Sequence, residues 1–257
     1  MRNGGRGNFL PKFVQGLALA RNFYADVVRP LIKVPHAASL LGEGSEVLGF
    51  DQPRSTDHAW GPRLQVFVDA PHVQAVGAAV EHGLPPEFMG WPVQFFSWQT
   101  NTVRHHVEIT TLGDWIRSQI GIDPIAVELS TPAWLALPQQ LLLQVTAGEV
   151  FHDDTGELRR LRETLAWYPR DVWLWAMASQ WHLIGNAEPR IGRTTEAGDR
   201  RGSALIAARL ARLLMELSFL QERRYWPYEK WFGTAFERLA VAPALGPRLD
   251  AVLSAQD

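Results

Sequence analysis

The hydrophobic period changes once along these 257 residues, near Thr131, and that change limits the chain to few architectures. Before it, short apolar runs broken by glycine and proline alternate with single amphipathic helices. After it, apolar residues recur at three and four with little interruption. Segregation of strands from helices predicts an α+β fold: a mixed β-sheet with helices first, then an all-α helical bundle. The expected division is residues 1–135 and 136–257, each long enough to bury a core.

The local signals fill in this outline. Phe13, Leu17, Ala20, Tyr24, Val27 and Leu31 form one helical stripe that Pro35 closes. "HAASLLG" reads as a short buried strand entering a glycine turn. "RLQVFVDA" alternates as a second strand. Pro71 opens a helix to His82, and "GLPPEFMGWP" is expected to be loop. "HHVEITTL" gives a third strand, with Thr110 or Thr111 capping the helix "LGDWIRSQI". Beyond, Thr131-Pro132 and Leu137-Pro138 carry the proline of a first helical turn, and Gly148 suits a helix end. "EVFHDDTGEL" is a strand remnant or turn, followed by a helix from Leu158 to Trp167. Pro169 starts a helix towards Ile184. The longest helix is expected over residues 196–224, with Ile206, Leu210, Leu213, Leu217 and Leu220 facing inward.

Composition excludes several function classes. The chain has no cysteine, so disulfides, thiolate metal sites and thiol nucleophiles are absent. A net charge of −2 gives no general attraction for nucleic acid or an anionic membrane. No apolar run reaches spanning length, and "MRNGGRGNFLPKF" lacks the apolar core of a signal peptide, so a cytoplasmic location is expected. His105 and His106 are adjacent on a strand, point to opposite faces and do not chelate together. "HDDTG" reads as a turn, and tryptophans such as Trp173 and Trp181 as core.

One constellation carries chemistry. In "LLGEGSEVLGFDQPRSTDHAWGPRLQVFVDA", the Gly44-Ser45 turn offers backbone N–H groups and a hydroxyl to a polyphosphate. Asp57 follows, and Glu108 in "HHVEIT" supplies a carboxylate from a neighbouring strand. Two strand-borne carboxylates i and i+2 would share Mg²⁺ with the phosphates, and a third would ligate or accept a proton. The i+2 position here is Ala59. Neither the dinucleotide fingerprint nor a Walker loop fits these glycines.

Together with "YPRDVWLW", "RTTEAGDRRGSALIAARLARL" and "RRYWPYEKWFGTAF", these strings resemble the uncharacterised family DUF4037 from about Phe13 to Leu245. That family is similar to two-domain nucleotidyltransferases of the aminoglycoside-modifying kind. The resemblance implies a nucleotidyltransferase-like first domain with a helical domain closing over the substrate. It implies Mg²⁺ as cofactor, and a nucleoside triphosphate and a small-molecule hydroxyl as partners. Gly44 and Ser45 match the phosphate turn, Asp57 the first metal ligand and Glu108 the third carboxylate. The family pattern has aspartate where this chain has Ala59. A missing ligand worth a few kcal/mol in the transition state lowers activity roughly a hundredfold to ten-thousandfold. A catalytically inactive binding or interaction module is therefore the alternative. In the helical half, Lys230 and Tyr228, and then Arg209, are the expected nucleotide contacts, by charge and stacking.

Overall fold

The computed structural model describes residues 11–57, 60–97 and 100–255. The expected α+β organisation is what the chain adopts. The order is α1 (Gly16–Phe23), β1 (Ala37–Leu40), β2 (Arg63–Phe67), α2 (Val73–Gly83), β3 (Glu87–Phe88), β4 (Trp91–Pro92), β5 (Gln94–Ser97), β6 (Thr102–Thr110), α3 (Leu112–Ile120), α4 (Thr131–Ala136), α5 (Gln139–Thr146), β7 (Glu149–Asp153), α6 (Glu157–Thr164), α7 (Arg170–Glu196), α8 (Arg200–Gln221), α9 (Glu229–Phe236) and α10 (Ala242–Ser254). Among the described residues no helix is long and apolar enough to cross a membrane.

Two compact units divide the chain: residues 1–127 with 144–163, and residues 128–143 with 164–257. In the first, a five-stranded sheet has the order β5-β6-β2-β1-β7. β1 lies antiparallel to both β2 and β7, whereas β6 runs parallel to β2 after the crossover through α2, as a parallel pair requires. Leu64, Val66 and Val107 share one face with Ala38 and pack with Phe23, Val28, Val76 and Val80 from the covering helices. Each such fully buried Val or Phe contributes on the order of 1.5–3 kcal/mol.

The first helix shows how a simple stripe is modified. A π-turn at Tyr24–Val28 and a 3₁₀ turn at Arg29–Leu31 continue α1. The wider turn rotates the buried line, so Leu19, Phe23 and Val28 reach the interior while Leu17, Val27 and Leu31 flank it. The stretch expected to be loop holds the β3–β4 hairpin, whose turn places Met89 and Gly90 at φ +51° and +85°, the conformation that two-residue hairpins favour. Thr111 caps α3 by accepting from Asp114 N–H at 3.0 Å. Ser130 does the same for α4.

In the second unit α7 and α8 run antiparallel, since the Trp173 indole donates to Leu220 O at 2.7 Å and Gln180 donates to Leu213 O at 2.9 Å. Ile184, Ala187, Leu213 and Leu217 fill their seam. α7, with 27 residues, is longer than α8 with 22, and the helix expected over 196–224 starts only at Arg200. Gly198, at φ +73°, breaks the run, and Asp199 accepts from Gly202 N–H to cap the restart. Trp181 is exposed rather than core, because its side of α7 does not face α8.

Candidate functional site

The bend after β1 is built around a single ion pair. Gly44 sits at φ +135°, and a Cβ there would meet Arg63 Nη2 at 2.5 Å and the Glu46 carboxylate at 2.6 Å. Glycine is thus required both by conformation and by the close approach of a side chain. Arg63 donates from Nε to Glu46 Oε1 at 2.8 Å and from Nη2 to the Glu43 carbonyl. Ser45 is buried, and its carbonyl accepts from Phe50 N–H at 2.9 Å. The guanidinium therefore lies on the bend, with its charge already matched by Glu46.

Gln65 holds the bend to the sheet. Its side-chain amide accepts from Leu41 N–H at 3.0 Å and donates to Leu41 O at 3.3 Å. It thereby extends the β1–β2 pairing past Ser39↔Gln65 by imitating a strand. Asp51 fixes the other side: its buried carboxylate accepts from Gly16 N–H at 2.7 Å, satisfying the first turn of α1 from 35 residues away. Burial pushes the Asp51 carboxyl above its usual range, against the lowering effect of the bond from Gly16.

Glu108 stands on β6 directly opposite Gln65, with His106 opposite Arg63. In-register neighbours point to the same face, so Glu108, Gln65 and Arg63 share the face opposite the Val66–Val107 core. Glu108 is exposed at its surface, yet the surrounding protein removes enough water to raise its pKa, and Arg104 opposes the rise. It also lines an open groove of about 610 Å³ with Gln94, Arg104, His105 and Glu81. His106 stacks flat on Phe95 at 3.7 Å, and burial lowers its pKa.

Asp57 ends a 3₁₀ helix, Pro53–Asp57. Five residues separate its backbone from β2, so it is not borne on a strand, because Pro62 and the Gly61 turn delay the start of pairing. His58 and Ala59 lie outside the described residues. Trp60 is buried, stacked on Phe13 at 5.7 Å and edge-on to Trp91 at 6.2 Å, so it serves as packing.

The remaining expected contacts belong to the second unit. Arg209 is exposed on α8. Tyr228 precedes α9 with a partly exposed ring, and Lys230 in the first turn of α9 places Nζ 4.9 Å from the Trp231 ring. One helical turn from Arg209, Arg212 pairs with Glu216 at 2.9 Å and lies over Phe232. Thus Gly44, Ser45, Asp57 and Glu108 are carried by one unit and Arg209, Tyr228 and Lys230 by the other.

The carboxylates around the bend decide how well it suits Mg²⁺. Glu46 is engaged by Arg63 and Asp51 by Gly16, so neither is a spare ligand. The carboxylates assigned to the ion are Glu108 and, by sequence, Asp57, while Glu43 carries a further exposed carboxylate on the bend. Two carboxylates suffice for one ion completed by phosphate oxygens and water, and are too few for a two-ion arrangement.

Sequence reasoning missed a second grouping. His36, His152 and Asp154 bring ligand atoms within 4.8 Å of one another. The spacing His152-x-Asp154 on a strand was the available signal. Burial lowers the His36 pKa, and bonds from His36 N–H and the His152 ring keep the Asp154 carboxyl low.

No curated protein matches the chain at a significant level. Over residues 134–232, from within α4 to within α9, the sequence matches the DUF4037 family, a domain of unknown function.

Proposed function

We propose that the protein is a nucleotidyltransferase-fold protein that binds a Mg²⁺–nucleoside triphosphate at the β2–β6 face of its first unit. The family-level reaction would be transfer of a nucleotidyl group to a small-molecule hydroxyl, impaired here by Ala59. The observation that carries this reading is Glu108, in register with Gln65 on the sheet face shared with Arg63, whose side chain lies on the glycine–serine bend. In this reading Asp57 and Glu108 would hold the ion, and backbone N–H groups near Gly44 would meet the phosphates. Glu108 would act as a ligand of the ion or as the base that accepts the proton of the attacking hydroxyl. The bound ion would supply charge neutralisation on the phosphates.

A second reading, a catalytically inactive binding module, is favoured by one specific contact. The Arg63–Glu46 pair fills the place beside Gly44 that a phosphate would need. Calorimetric titration with nucleoside triphosphates, with and without Mg²⁺, tests both readings on the wild type, Asp57→Asn, Glu108→Gln, Glu46→Gln and Ala59→Asp. The proposed site requires metal-dependent binding that Asp57→Asn and Glu108→Gln weaken at least tenfold and Ala59→Asp tightens. Absence of binding in wild type together with gain in Glu46→Gln would favour the occluded module. Absence in all variants would remove the nucleotide from the account.

A further inference from the structure

The other face of the sheet carries a different chemistry, independent of any nucleotide. β7 is an edge strand, and its pairing with β1 runs Ala37↔Asp153 and Ala38↔His152, then slips to Ser39↔Val150. The slip leaves Phe151 as an extra residue, a bulge that re-aims neighbouring side chains. Phe151 and His152 consequently both reach the Tyr24 ring, at 6.0 and 6.2 Å. His36 lies one residue before β1 and faces Asp154 across the ladder: Asp154 N–H donates to His36 O at 3.1 Å, and His36 N–H donates to Asp154 Oδ2 at 2.9 Å. Ala38 is in register with Val66, so His36 stands on the side of the sheet away from Gln65 and Glu108.

We propose that His36, His152 and Asp154 form a binding site for a zinc-class divalent ion that clamps the edge strand β7 to β1. The donor set is two imidazole nitrogens and one carboxylate oxygen, the combination that selects borderline ions such as Zn²⁺ over Mg²⁺. His152 Nε2 is 2.9 Å from Asp154 Oδ1, and His36 Nδ1 is 3.8 Å from Asp154 Oδ2. Bonds of about 2.0–2.1 Å to a tetrahedral ion separate its donors by roughly 3.3–3.4 Å; all three donors lie within 4.8 Å of one another, so rotation of the partly exposed His152 and Asp154 side chains brings them to that spacing. The Val34 carbonyl, 2.9 Å from His36 Nδ1, accepts the proton of that nitrogen in the free protein and turns aside when the ion binds.

The surroundings suit this use. His36 is buried, and its Nε2 lies 2.9 Å from the Tyr24 hydroxyl. A hydrogen bond on the far nitrogen fixes ring orientation in the way that outer partners of metal-bound histidines do. On binding, the neutral His36 ring changes tautomer: the proton that Nδ1 donates to Val34 O moves through solvent to Nε2, which then donates to the Tyr24 hydroxyl. Asp154 and His152 keep side-chain exposures of 40% and 26%, which leaves an entry path for the ion from the edge of the sheet.

The test uses the untagged full chain, stripped with chelator and titrated with Co²⁺ and then Zn²⁺. One equivalent of Co²⁺ is expected to develop visible d–d absorption that Zn²⁺ abolishes. His152→Ala and Asp154→Asn are expected to weaken binding at least tenfold while circular dichroism stays unchanged, and the exposed control His82→Ala is expected to leave it intact. Zn²⁺ should also raise the thermal midpoint of the wild type but not that of His152→Ala. These two variants avoid His36, whose loss would disturb the core. No absorption at ten equivalents, or equal affinity in His152→Ala, would overturn the site.

Discussion

Gln65→Met removes the amide that holds the bend while keeping side-chain length. Leu41 is 0% exposed and Gln65 only 8%, so water does not replace the lost partners without opening the sheet. The Leu41 N–H at 3.0 Å loses a full-strength bond. Its carbonyl at 3.3 Å loses a longer, weaker one. A buried group left unsatisfied costs about 1–3 kcal/mol, and the weaker second bond puts the sum near 2–4 kcal/mol. With a urea dependence of about 2 kcal/mol per molar, the midpoint moves down by about 1–2 M. Gln65→Glu provides the internal check. When protonated, the introduced carboxyl restores both an acceptor and a donor, whereas its ionised form loses the donor and buries charge. Burial raises the folded pKa of such a carboxyl, so its stability is present at low pH and lost as pH rises through that value. Denaturation followed by circular dichroism at pH 4 and pH 7 reads both effects. A Gln65→Met change under about 0.5 kcal/mol, or a Gln65→Glu penalty that does not grow with pH relative to wild type, would refute the strand-mimic account.

The raised carboxyl of Asp51 makes a related prediction. Its protonated form is favoured by folding, so Asp51→Asn, which still accepts from Gly16 N–H, should gain stability relative to wild type as pH rises from 4 to 7; thermal melts showing the opposite trend would exclude it. Gly148 has φ +72°, and a Cβ would collide with the Leu40 carbonyl oxygen. Gly148→Ala should therefore cost at least about 1–3 kcal/mol, seen as a lower urea midpoint. Tyr225→Phe removes the buried bond from its hydroxyl to Leu165 O at 3.1 Å and should cost about 0.5–1.5 kcal/mol, with the near-ultraviolet spectrum retained.

Local chemistry was the readable part of this sequence. Prolines and caps located α3, α4 and α5 within a residue or two, a short apolar run before a glycine turn located β1 and alternation located β2, because those signals act over a few neighbouring residues. The β3–β4 hairpin escaped notice because its turn uses Met89 at positive φ, where Asn or Asp would have been the recognisable choice. β5 lies among "QFFS" with no clean alternation, and its pairing to β6 sets its identity. Asp57 was expected on a strand, but five residues of turn intervene before pairing begins. The occupation of the bend by Arg63 was invisible for a related reason: an arginine 17 residues from Glu46 has no local mark of its partner. The His36 group was hidden more deeply, since Asp154 lies 118 residues further on and the Phe151 bulge, not the sequence period, aims His152.

β1 takes one neighbour, β2, from the segment that soon follows it, and the other, β7, from residues 149–153. During synthesis the nascent sheet must therefore wait, one flank of β1 bare, until the ribosome has made and released the far longer stretch that ends in β7. A fragment cut at residue 135 would keep that flank bare permanently and offer it to a second chain. Soluble expression of the first unit alone should depend on grafting residues 144–163 back onto it, by a short linker or as a separate peptide.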